Sequence, residues 1–315
     1  MELHSKIYVA GHRGLVGSAL VRTLTRQGYS NLLLRTHTEL DLCNQAAVQQ
    51  FFASERPAYV FVAAARVGGI LANSRDQAGF LLENLQITCN MLEAAYQSGV
   101  EKLLFLGSSC VYPRQAPQPI PEEALLTGAL EPTNEGYAIA KIAGLKLCEY
   151  YNCQQGAAFI SVMPCNLYGP NDNFDAEGSH LIPALLRRFH AAKQQGAAQA
   201  TLWGSGNPLR EFLYVDDLAD ACLMLMAQYT GAKTVNIGSG KELSVLQTAQ
   251  MAAAAVGYAG AIAFDHEKPD GTPRKLLDSS RMRAMGWRPK TDLASGLRLA
   301  YEWYRANATE GKDKL

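Results

Sequence analysis

The sequence predicts an α/β fold, a doubly wound parallel sheet joined to a smaller α/β domain. Two observations carry this expectation. In the first half of the 315-residue chain, short apolar runs alternate with amphipathic stretches, the rhythm of a parallel sheet with helices on both faces. In the second half the rhythm loosens. Prolines and glycines punctuate 164–183 and 203–208, as in a second, less regular domain mixed with late elements of the sheet.

Taken in order, strands are expected at Lys6–Ala10, Asn31–Arg35, Tyr59–Ala64, Lys102–Gly107 and Phe159–Met163. Between them, apolar residues recur at helical spacing near Leu15–Gln27, Gln45–Ser54, Ala78–Gln97 and Tyr137–Gln154. The stretch "YPRQAPQPIP" (112–121) reads as a surface loop beside a strand end. An Ala-rich helix is expected over Val245–Val256, and the loop "KPDGTPRK" (268–275) follows a late strand. Residues 1–165 with 211–262 are assigned to the sheet domain, and 166–210 with 263–315 to a substrate domain.

Composition bounds the function. With 48% hydrophobic and 18% charged residues the chain is an ordinary globular one, not a disordered chain. Twenty-nine basic and 29 acidic residues cancel, so neither a nucleic-acid nor a membrane-surface partner is expected, and anionic ligands must be met by local arginines or helix ends. The seven cysteines include no C-x-x-C pair and no metal-ligand spacing, which suits free thiols and excludes a metal from the expected site. The chain enters its first strand without an apolar leader, so a cytoplasmic location is expected. The closing "KDKL" reads as a charged tail rather than a retention signal.

"VAGHRGLVGSAL" (9–20) places Gly11, Gly14 and Gly17 directly after a strand and at the start of a helix. Gly11 serves a tight turn, Gly14 lets backbone approach a pyrophosphate, and Gly17 lets helix and strand pack closely. The helix N-terminus then offers free N–H groups to that anion. This is the Rossmann-type dinucleotide loop. At the end of the second strand, Arg35 and His37 stand where an acid would hold the ribose of NAD, and Arg13 adds a third cation, so NADP(H) is the expected cofactor.

"YAIAK" sets Tyr137 and Lys141 on one face of a helix. A tyrosine titrates near 10, and a lysine one turn away is expected to lower it while also holding the cofactor ribose. Ser108, at the end of an earlier strand, stands ready to hydrogen-bond a substrate carbonyl alongside the tyrosine.

The glycine loop, "GSSCVYP" and "YAIAK", in this order of strands, resemble the extended short-chain dehydrogenase/reductases that act on nucleotide sugars. "VGGI", "NLYGPNDNF", "SHLIPALLRRFH", "WGSGNPLREFLYVDD" and "KPDGTPRKLLD" extend the likeness along nearly the whole chain. They resemble a branch that inverts C3 and C5 of a GDP-linked 4-keto-6-deoxy sugar and then reduces the ketone with NADPH. Inversion needs an acid–base pair beyond the Ser–Tyr–Lys set. The resemblance assigns Cys110 as base and His180 as acid.

By the same resemblance Arg188, Trp203, Arg210 and Asp270 hold the GDP end. The cofactor is expected along His12, Leu15, Val16, Asp41, Leu42, Leu106, Gly107, Ser109, Pro164, Cys165, Asn166, Leu167 and His180, besides the residues already named. A homodimer built on helices of the sheet domain is also implied. His37, where bacterial relatives carry arginine, Cys165 in place of threonine, and Gly136 in place of proline depart from the pattern. The alternatives within the superfamily are a one-step 4-epimerase or 4,6-dehydratase holding NAD tightly, or another nucleotide-sugar reductase/epimerase using NAD(P). A dehydratase would place acids after the serine, where this chain has Ser109 and Cys110. From another class, a catalytically dead cofactor sensor would have lost the Tyr, Lys or sugar-site residues, all of which are present.

Overall fold

A computed structural model of the chain describes residues 1–175, 178–268 and 270–308; the "KDKL" ending lies outside the described residues. The first half alternates as expected: β1 (Ile7–Ala10), α1 (Leu15–Arg26), β2 (Leu32–Leu33), α2 (Gln45–Glu55), β3 (Tyr59–Val62), α3 (Ile70–Arg75), α4 (Gln77–Gln97), β4 (Lys102–Leu106), α5 (Glu135–Gln155) and β5 (Phe159–Pro164). The second half comprises β6 (Asn166–Tyr168), α6 (Leu181–Gln194), β7 (Gln199–Trp203), β8 (Leu209–Tyr214), α7 (Val215–Gln228), β9 (Val235–Ile237), β10 (Glu242–Ser244), α8 (Val245–Val256), β11 (Ala261–Asp265), β12 (Arg274–Lys275), α9 (Ser280–Ala284) and α10 (Leu293–Ala308).

Six strands form one sheet in the order β2-β1-β3-β4-β5-β9, and every pairing in it is parallel. Its strands are buried on both faces because helices cover both: α4 packs on α5 on one side, and α1 on α7 on the other. The order reverses between β1 and β3. In an open α/β sheet the crevice at the carboxyl ends of such a pair is where a ligand binds, and the glycine loop lies there. Ile7, Val9, Val60, Phe61, Leu103, Phe105 and Val162 form the heart of the first core.

A second core lies among α6, α8 and α10. Ile182, Leu186 and Phe189 from α6 meet Ala249 and Ala252 from α8 and Leu297 and Ala300 from α10. Helix α8, placed with the sheet domain by sequence, therefore packs in this second core, because its small apolar face matches α6 and α10. Conversely Leu277, Met282 and Trp287, placed in the substrate domain, close against the first core. Strand β8 joins the halves: it pairs with β6 in parallel, β10 in antiparallel and β12 in parallel. Among the described residues no helix is long and apolar enough to cross a membrane.

Candidate active site

The glycine loop shows which of its three glycines the chain itself requires. Gly11 turns β1 into the loop at φ +77°, and a Cβ there would stand 2.7 Å from the Ala64 backbone nitrogen. A Cβ on Gly17 would collide with the Gly11 carbonyl oxygen, so α1 crosses the loop at a distance only glycine permits. A Cβ on Gly14 would meet nothing of this chain closer than the Gly11 oxygen at 3.5 Å. Gly14 is the N-cap of α1, makes no side-chain cap and is exposed, so the space beside it is left for a ligand. With no acid in the first turn, the orphan N–H groups there fit a pyrophosphate.

At the ribose end the expected cations are differently engaged. Arg35 is tied to Glu55 at 2.8 Å and lies over the Phe51 ring. His37 is exposed, 3.9 Å from Asp41, and Arg13 is exposed. Burial, then the neighbouring Arg13 charge, pushes the His12 imidazole down. Leu42 is buried beneath this edge, and Leu15 and Val16 pack at its start.

The residues expected at the nicotinamide end lie on or just after β4, β5 and α5. Lys141 is almost wholly buried, and its Nζ donates to the Leu106 carbonyl at 2.8 Å. It lies 4.9 Å from the centre of the Phe105 ring and 5.8 Å from that of Tyr137. With no carboxylate partner, burial pushes the ammonium down to about 8. Gly107 follows, where a Cβ would stand 2.9 Å from the Val162 oxygen, and Ser109 is buried. Pro164 ends β5, Cys165 is a buried thiol pushed up by desolvation, and Asn166 donates to the Glu211 carbonyl at 2.8 Å. Leu167 packs against the first core.

Tyr137 corrects one expectation. Its phenol is pushed up, not down: desolvation dominates, the Cys110 sulfur adds to it, and a hydrogen bond with Ser108 opposes both. The physical reason is the placement of Lys141, whose Nζ faces the aromatic ring and spends its hydrogen bond on Leu106. Tyr137 is therefore held as a neutral phenol beside Ser108, the form that gives up a proton.

Beyond that pair, Ser108 Oγ accepts from the Cys110 backbone N–H at 3.3 Å. The Cys110 sulfur receives two further donors: Asn134 Nδ2 at 3.2 Å and Lys275 Nζ at 3.9 Å. His180 is the N-cap of α6 and is exposed. Desolvation, then the Lys275 charge, pushes its imidazole down, toward the neutral form. "VGGI" meets the residue just before "SHLIP" here, since the Gly69 N–H donates to the Gly178 oxygen at 3.0 Å.

Lys275 and Asn134 went unassigned in the sequence. Lys275 lies inside a motif already noted but on a two-residue strand, and only the sheet register puts it opposite Arg210 on β8. Arg210 is half-buried, its guanidinium held down by desolvation and drawn back by Asp270. Asp270 accepts from the Ser205 N–H at 2.9 Å and from its hydroxyl at 2.6 Å, which hold its carboxyl below the usual range. Gly204, at φ +82°, lets that carboxylate in, and the half-exposed Trp203 ring precedes it under Lys268. Arg188 donates to the Thr201 carbonyl on the same strand as Trp203. Of the four residues expected at the GDP end, Trp203 lies on β7, Arg188 reaches that strand from α6, and Asp270, in the loop before β12, acts on Arg210 of β8, which Lys275 faces in register.

Residues 7–238 match the model of the NAD dependent epimerase/dehydratase family. The chain belongs to that family. It is 59% identical over 303 residues to GDP-L-fucose synthase 1 of Arabidopsis thaliana, covering 96% of this chain and 94% of that protein. It is 51% identical over 311 residues to GDP-L-fucose synthase of Escherichia coli (strain K12), covering 96% and 97%. Among solved structures, a GDP-L-fucose synthetase from Naegleria fowleri bound to NADP superposes with a TM-score of 0.90 at 29% identity, over 98% of this chain and 97% of that one. A nicotinamide dinucleotide is the cofactor of the family, and the glycine loop and the uncapped N-terminus of α1 fit it.

Proposed function

We propose that the protein converts GDP-4-keto-6-deoxy-D-mannose to GDP-L-fucose by inverting C3 and C5 and reducing the C4 ketone with NADPH. The observation that carries this reading is the pairing of two proton-handling sets in one cleft. Ser108, Tyr137 and Lys141 form one, and Cys110 with His180, both beside Lys275, form the other. A simple reductase or 4-epimerase has no use for the second set.

C3 and C5 flank the ketone, so their protons are acidified when O4 is polarised by the Ser108 and Tyr137 hydroxyls. Cys110, as thiolate, removes the proton at each carbon in turn. His180 returns one from the opposite face, so that each enolate collapses with inverted configuration, and between the two inversions Cys110 gives its proton to solvent and His180 takes one up. Lys275 lies beside the Cys110 sulfur, and its charge weakens the hold of the His180 imidazole on the proton it delivers. NADPH, held beside Lys141, would supply a hydride to C4. Tyr137 then protonates O4, and its hydrogen bond with Ser108 stabilises the tyrosinate left behind.

The GDP end rests on Arg188 and Arg210 for the diphosphate, Trp203 for an aromatic face and Asp270 for donor groups of base or ribose. Arg13 and His37, free of the ion pair that occupies Arg35, meet the 2′-phosphate and give the preference for NADP(H). Exposed Leu82 and Tyr96 on α4 and Ile139 and Tyr150 on α5 support a homodimer on that face, and the site suits a cytoplasmic enzyme. The test is NADPH oxidation with the 4-keto sugar and identification of the product. Formation of GDP-L-fucose is expected, with Cys110→Ser and His180→Gln losing epimerisation while still binding NADPH. No NADPH oxidation, or full product formation by either variant, would refute the reading.

A further inference from the structure

Asn134 occupies the N-cap of α5, a position where an asparagine side chain ordinarily accepts a hydrogen bond from the first turn of its own helix. Here it makes no such bond. Its Nδ2 points instead to the Cys110 sulfur at 3.2 Å, and its buried Oδ1 has no partner among the described residues. An amide turned from its capping role, with one end left unsatisfied, needs another reason to be held there. The short helical turn that carries Cys110 packs against α5, so the sulfur and the amide are fixed relative to each other.

We propose that Asn134 is a positioning residue for the epimerisation base: its amide holds the Cys110 sulfur as a thiolate and fixes it relative to Tyr137, three residues further along the same helix. This rests on the reading of Cys110 as that base. A neutral donor suits the task better than a second cation would. It favours the thiolate through a hydrogen bond, yet leaves no charge to bind the sulfur so tightly that it cannot take a proton. The other groups facing Cys110 divide accordingly. Lys275 is the cation at longer range, the Tyr137 phenol is coupled to the sulfur and hydrogen-bonded to Ser108, and His180 feels the charge of the same Lys275. Along the same cleft the charges of Arg114 and Arg274 are taken up by Glu131 and Glu242.

The experiment is the pH profile of iodoacetamide alkylation at Cys110, followed on its own peptide by mass spectrometry in wild type, Asn134→Ala, Asn134→Ser and Asn134→Asp. Serine can still cap α5 but is too short to reach the sulfur, so it separates the two roles. In the alanine and serine variants the midpoint is expected to rise by about one pH unit or more, the effect of one lost charge-assisted hydrogen bond. The nearly isosteric aspartate, a like charge, is expected to raise it further. Solvent deuterium entry at C3 and C5 at pH 7 should fall about tenfold in step with the lost thiolate. NADPH affinity should stay at the wild-type level. An unchanged alkylation profile in the variants that fold would overturn the proposal. Undiminished deuterium entry in Cys110→Ser would instead overturn the base assignment, leaving the alkylation shift to report on Asn134 alone.

Discussion

Lys141 offers a prediction whose size follows from its surroundings. Its ammonium is buried, answered by one neutral carbonyl, and titrates near 8 instead of 10.5. At about 1.4 kcal/mol per pH unit, that gap costs the folded state ~3 kcal/mol at pH 7. Because the folded pKa of this base is depressed, the unfolded chain binds more protons between pH 8 and 10.5, so stability rises with pH through that window. By pH 10 about 1 kcal/mol of the cost remains. Lys141→Met removes the charge at every pH. It also strands the Leu106 carbonyl, a loss of about 1–3 kcal/mol, so at pH 7 the two effects nearly cancel and the variant should be about as stable as wild type. Between pH 7 and pH 10 wild type should gain about 2–3 kcal/mol relative to the variant, measured by urea unfolding of both without cofactor. A wild-type-minus-variant difference that is flat across this range would refute the buried, unpaired ammonium. The reduction step of the variant should be lost at every pH.

Three further outcomes follow from the site. Gly17→Ala drives a methyl group into the Gly11 carbonyl, so NADPH binding should weaken at least tenfold in fluorescence titration; unchanged affinity would contradict the close crossing. Arg13→Ala should raise the KM for NADPH while leaving that for NADH nearly unchanged, since only the former carries the 2′-phosphate; equal effects would move the phosphate contact elsewhere. Asp270→Ala should raise the KM for the GDP-sugar about tenfold or more with little effect on NADPH, and an unaltered KM would remove Asp270 from the nucleotide site.

The sheet domain was legible because its signals are local. Each long strand is a continuous apolar run, and the helices α1, α2, α4 and α5 begin and end within two residues of the expected positions. Strand β9 was not anticipated, since three residues carry too little pattern to separate a strand from a loop. The division of the second half was blurred for a related reason. The apolar faces of α8 and α10 say that each is buried, but not against which neighbour, and only packing sends α8 to α6 and α10 while Leu277 and Trp287 return to the first core.

The same limit governed the site. Tyr137 and Lys141 announce each other at helical spacing, and Cys110 follows Ser108 within one motif. Asn134 looked like an ordinary helix cap, and Lys275 lies 165 residues from the sulfur it faces. The direction of the Tyr137 perturbation was misread because spacing placed the lysine near the tyrosine without showing which part of the ring it faces.

The central claim is that one cleft inverts two carbons through solvent-exchangeable groups and reduces a third from the cofactor. Turnover of the 4-keto sugar with unlabelled NADPH in deuterium oxide tests it directly. The product should carry deuterium at C3 and at C5, delivered through His180, and protium at C4. Protium retained at C3 and C5, or deuterium at C4, would contradict the account.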